Sequence, residues 1–113
     1  MPMSEKEIRA KLMRPIGKPV VFNYPDCTLR GVLLDRVISA GGSVTEADYW
    51  DVVDLIEFPN EPTKQWVRLT YYRQAKGRLR FAGQWSISEP LPVMKNLLRV
   101  ASEFISSVER KGA

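Results

Sequence analysis

The chain has 113 residues, 44% hydrophobic and 27% charged, with 17 Lys and Arg against 13 Asp and Glu, no histidine and one cysteine. Those proportions are those of one ordinary globular domain, and they exclude low-complexity and disulfide-rich classes. Without histidine there is no Ser-His or Cys-His nucleophile pair and no imidazole metal site, and Cys27 alone makes no thiolate site.

No apolar run approaches the roughly 20 residues of a membrane span, and the polar start Met-Pro-Met-Ser-Glu-Lys-Glu is unlike a signal peptide. A cytoplasmic protein without a membrane partner is expected. Ser4-Glu5-Lys6-Glu7 has the spacing of a capping box, which predicts a short helix over 4–14 with Ile8 and Leu12 on its apolar side. Pro15 stops it.

From Lys18 the pattern changes to strands. Pro19–Tyr24 is β-branched and aromatic, and Pro25-Asp26 signals a turn. A second strand is expected over 28–39, with a bulge or sharp bend near Gly31, and Ala40-Gly41-Gly42-Ser43 has the composition of a loop. Residues 49–58 carry acids every third position, which fits neither period cleanly; the β-branched and aromatic residues between them favour strand over helix. The clearest element is a hairpin of strands 65–73 and 78–88 around Ala75-Lys76-Gly77, read as a three-residue loop with a glycine bulge. That register pairs Tyr72 with Arg80 and Arg68 with Gln84. It puts Val67, Leu69, Tyr71, Leu79, Phe81 and Trp85 on the core face and leaves Trp66, Arg68 and Tyr72 outside. A second helix over 92–110 carries Met94, Leu97, Leu98, Ala101, Phe104, Ile105 and Val108 at spacings of three and four, a stripe that needs a sheet or another subunit to cover it. The expected fold is α+β: a bent antiparallel sheet of about five short strands, a partly closed small barrel of SH3-like or OB-like plan, flanked by two helices.

Charge along the middle of the chain is sorted. Residues 44–61 hold six acids (Glu46, Asp48, Asp51, Asp54, Glu57, Glu61) and no base, and residues 62–88 hold six bases (Lys64, Arg68, Arg73, Lys76, Arg78, Arg80) and no acid. On a strand, acids three apart point to opposite faces, so 48, 51, 54 and 57 do not converge on a metal or an acid–base site. No catalytic residue, metal or cofactor is expected. Cys27 suits a small, half-buried filler.

The basic block interleaves arginines with flat aromatics, the combination that grips phosphates and stacks on bases. Arg68, Tyr72, Arg73, Lys76, Arg78, Arg80 and Trp66 are therefore the candidate surface for RNA or DNA. Cross-strand pairing of Asp54 with Arg68, and of Asp51 near Tyr71 or Arg73, would neutralise part of that surface and leave Lys76, Arg78 and Arg80 as the exposed set. The alternative is a protein-interaction or assembly module, with a protein partner or a homodimer. It would use the apolar face of Trp50, Val52, Ile56 and Phe58, or the C-terminal helix.

Overall fold

The computed structural model describes residues 3–44, 47–82 and 86–112, with the backbone alone for 40–44 and 47. Chain order is α1 (Glu5–Met13), β1 (Pro19–Asn23), β2 (Thr28–Val44), β3 (Ala47–Glu57), β4 (Gln65–Ala75), β5 (Arg78–Phe81), β6 (Ile87–Pro90) and α2 (Leu91–Gly112). The strands form one antiparallel sheet in the order β1-β2-β3-β4-β5, with β6 also pairing with β4. The sheet curls into a half-barrel, so the architecture is α+β with a partly closed small barrel.

Ser4 caps α1 as its spacing predicts. Its side chain accepts from the Glu7 backbone N–H at 3.2 Å, while its hydroxyl donates to the Glu7 carboxylate at 3.1 Å. Ile8 and Leu12 are buried against Val52 in the sheet. A short helix of this length holds only because that face is docked.

Three strands run longer than expected, β2, β3 and β4. The Gly-Gly segment at 41–42 continues β2, pairing with Trp50 and Tyr49 of β3, so no loop lies there; the connection falls at 45–46, outside the described residues. The bend in β2 comes from two extra residues, one between Leu33 and Asp35 and one between Ile38 and Gly41. Gly31 lies just before the first. A Cβ there would collide with the Glu57 carbonyl and the Phe58 ring, so the glycine lets β2 close against the end of β3. The single strand expected over 78–88 is two: β5 pairs with the end of β4 and β6 with its beginning.

The β4–β5 hairpin differs from expectation by one residue. Ala75 pairs with Arg78, Gln74 with Leu79, Arg73 with Arg80 and Tyr72 with Phe81, leaving a two-residue turn, Lys76-Gly77, with φ of 53° and 74°. Positive φ at both central residues is the backbone of a type I′ turn, whose twist matches the strands. Because β4 is itself turned over, the slip keeps Leu79 and Phe81 beside Gln74 and Tyr72 on the concave side, and Leu79 packs on the core as expected. Arg68 pairs with Ser88 of β6 rather than with Gln84, because β5 ends at Phe81 and β6 takes over the edge of β4; the core position of Trp85 lies outside the described residues.

The faces of β4 are the reverse of those expected. Arg68, Thr70 and Gln74 are buried, in line with Asp54 and Val52 of β3 and with Arg36 of β2. The concave face therefore holds two apolar clusters with charge between them. Ile8 and Leu12 of α1 pack on Val52, and Leu33, Ile56 and Phe58 lie at the β1 end. The convex face carries a row Val37–Val53–Leu69–Ile87 across β2, β3, β4 and β6, in which Val37, Val53 and Ile87 are exposed.

α2 follows β6 without an intervening residue, and of its side chains Met94 alone is buried among those described. Leu97, Leu98, Phe104, Ile105 and Val108 are exposed, so the described residues leave the stripe uncovered. Among the described residues no helix is long and apolar enough to cross a membrane.

Candidate nucleic-acid interface

The hairpin tip is fixed to α1 through one arginine. Arg36 Nη1 donates to the Leu12 carbonyl at 2.7 Å and to the Tyr72 hydroxyl at 3.0 Å, and Leu79 packs on the Ile8–Leu12–Val52 cluster. The end of α1 and the start of β5 are thereby neighbours. Between them lies an open cleft of about 490 Å³ lined by Met3, Lys11, Arg14, Gly77, Arg78, Leu79 and Arg80. Four of the seven lining residues are cations and none is an acid.

Arg73, Lys76, Arg78 and Arg80 are all exposed, and among the described residues none of them, nor Lys11 or Arg14, has an ion-pair partner. Arg73 borders a second hollow with Tyr49, Asp51 and Tyr71 on the convex face, so an acid lies beside it. The cross-strand register places Asp51 opposite Tyr71 and Asp54 opposite Arg68, the neutralising geometry expected from the two charge blocks.

The other candidates have structural work elsewhere. Arg68 is 8% exposed and donates to Asp54 Oδ2 through Nε at 2.9 Å and Nη2 at 2.7 Å, with its guanidinium 4.9 Å from the Phe81 ring centre. It is a core residue and faces no solvent-borne polyanion. Tyr72 is half-buried, its ring under the Arg36 guanidinium and against Phe81. Trp66 is half-buried near the far end of β4, roughly 30 Å along the strand from the tip, with its indole N–H donating to the Thr63 carbonyl at 2.9 Å. The basic tip thus lacks these two rings as stacking platforms. Of the alternative interaction face, Val52, Ile56 and Phe58 are fully buried core, and Trp50 is half-buried with the Arg9 guanidinium 5.4 Å from its ring centre.

Lys11 and Arg14 were not singled out from sequence. Their charge is legible there, but their neighbours are set by how α1 docks, which local pattern does not specify.

Burial works against the Arg36 charge, but hydrogen bonds and attraction from Asp54 outweigh it, and its pKa stands above the ordinary arginine value. Cys27 is exposed rather than half-buried. Desolvation, then Asp26 and Glu61, push its thiol pKa up, the opposite of what an activated nucleophile needs. β3 is a strand, and among the described residues no group of three acids or cysteines is placed to hold a metal ion.

In comparisons with known proteins, no family model, no curated protein and no solved structure matches the chain.

Proposed function

We propose that this chain is a non-enzymatic binding domain that tracks the phosphate backbone of RNA or DNA along the basic edge between α1 and the β4–β5 tip. The observation that carries this reading is the cleft where Lys11 and Arg14 from one end of the chain meet Arg78 and Arg80 from another, without an acid among the lining residues. Guanidinium and ammonium groups in such an open groove attract phosphate without reading sequence. From α1 this edge takes Lys11 of the last turn and Arg14 just after it, cations suited to phosphates rather than a base-reading helix face, so affinity should be nearly independent of sequence.

Fluorescence anisotropy with short labelled RNA and DNA at low salt is the test. Engagement of three or four phosphates gives a slope of log K against log salt of roughly −2 to −4. Arg78→Ala with Arg80→Ala, and separately Lys11→Ala with Arg14→Ala, should each weaken binding and flatten that slope. Absence of binding at low salt, or binding indifferent to both pairs, would overturn the reading.

A further inference from the structure

The convex row and the α2 stripe are two apolar surfaces of one chain, one sheet-like and one helical, and neither is covered by the described residues. The row is Val37, Val53, Leu69 and Ile87, and Val37 is 61% exposed. The stripe runs through Leu97, Leu98, Phe104, Ile105 and Val108, with Phe104 at 68% exposure. A helix laid across a sheet face is the ordinary way such surfaces are buried.

The chain cannot bring its own two surfaces together. β6 ends at Pro90 and α2 begins at Leu91, so no loop exists to turn the helix back over the sheet, whereas strand–helix reversals generally take about 2–6 residues. Met94, in the first turn, is the one buried side chain of α2 among those described. The Cα radius of gyration, 16.0 Å, exceeds the roughly 13 Å of a compact domain near this length.

We infer that a second copy of this chain covers both surfaces, each α2 lying on the convex face of the other protomer's sheet in a reciprocal twofold dimer. Half-exposed side chains of these sizes each offer on the order of 100 Å². The five on the stripe and the three exposed on the row then give about 1,600 Å² of total buried surface in a reciprocal pair, the size of a standard specific interface. Charge agrees. α2 carries Lys95, Arg99, Arg110 and Lys111 against Glu103 and Glu109, while the rungs beside the apolar row bring in Asp35, Asp51 and Glu89. A membrane-surface helix would instead be rich in bases on its polar face, where α2 interposes two acids.

This inference is independent of the phosphate-binding reading. Sedimentation velocity of the full chain under reducing conditions should give twice the chain mass of 12.9 kDa, falling to monomer on dilution. Phe104→Asp and Val37→Lys each place a charge in the interface and should each give monomers with unchanged circular dichroism, because both positions are exposed in the single chain. Mixing the two variants should restore a dimer, since the aspartate helix then meets the lysine sheet and the remaining helix and sheet are unaltered. A wild-type monomer at every concentration overturns the inference, as does a dimer that survives Val37→Lys, which would mean helix-on-helix pairing. It is equally overturned if the two variants stay apart when mixed, or if a monomer partitions onto phosphatidylcholine–phosphatidylglycerol vesicles through α2.

Discussion

Arg36 of β2 and Arg68 of β4 belong to strands that do not pair, yet both donate to the one carboxylate between them. Arg36 reaches Asp54 Oδ1 through Nε at 2.6 Å and Oδ2 through Nη2 at 3.0 Å, and Arg68 reaches Oδ2 from the other side at 2.7 Å. The Asp54 side chain has no exposure and that of Arg36 has 1%. The group carries a net positive charge inside the half-barrel, and the aromatic faces of Tyr72, Phe81 and Phe22 help to disperse it.

Removing the shared carboxylate therefore leaves two buried like charges. Asp54→Ala should cost about 3–5 kcal/mol, the usual penalty for orphaning a buried ion pair, and urea unfolding checks it. Arg36→Met should destabilise more than Arg68→Met, because Arg36 also serves the Leu12 carbonyl and the Tyr72 hydroxyl. The raised Arg36 pKa means that its contribution is fully present below the ordinary arginine value and declines only as pH climbs through the raised one, so nothing of it is lost near neutrality.

Gly31→Ala tests the close approach of β2 to the end of β3. The added methyl meets backbone and an aromatic ring, neither of which can yield cheaply, so a loss of about 1–3 kcal/mol is expected by chemical denaturation. Gly17→Ala meets no neighbouring atom, and any loss there reflects its positive φ alone.

The turn at Lys76-Gly77 gives a third test. Gly77→Ala should lose about 1–2 kcal/mol to the left-handed backbone, while Lys76→Asn should stabilise the hairpin, since asparagine tolerates that conformation. If the loop had three residues with only glycine left-handed, Lys76→Asn would bring no gain.

Cys27 should react slowly with an alkylating reagent at neutral pH despite its exposure, because the raised pKa keeps it as thiol. The rate should rise steeply on the alkaline side, and Asp26→Asn should accelerate it at fixed pH. Mass spectrometry of timed samples reads both.

Tyr72→Ala separates the structural role of that ring from a stacking role. With the hydroxyl engaged by Arg36 and the ring half-buried, the change should lower stability and affect single-stranded and duplex ligands alike.

Much of this fold was legible because local chemistry settles it: Ser4 and Glu7 start α1, the Pro59–Pro62 segment separates β3 from β4, and opposed charge blocks put Asp54 across from Arg68. What parity could not decide was which face of the sheet points inward. Trp66, Arg68, Thr70 and Tyr72 on one side and Val67, Leu69 and Tyr71 on the other are both amphipathic sets, and an arginine is counted as outward unless its buried acid is recognised. A signal was present: Asp54 shares its face with Val52 and Ile56, both core residues, so an acid in that position needs basic partners. The hairpin register went astray for a related reason. Lysine is an uncommon residue at positive φ, so Lys76 did not announce a two-residue turn. The cleft depends on contacts between α1 and the β4–β5 tip, and no periodicity encodes those.

The separation of the interior by charge has a consequence for how the molecule opens. β3 passes through both apolar clusters, Val52 in one and Ile56 in the other, with Asp54 between them. The first cluster joins α1 to the sheet through few side chains, so α1 should detach in sub-global openings that leave the Leu33–Ile56–Phe58 end intact. Amide hydrogens of α1 should then exchange well before those of the β2–β3 ladder near Leu33. A polyanion bridging Lys11 to Arg78 would hold α1 down, and its signature would be slowed exchange in that helix rather than any visible change in shape.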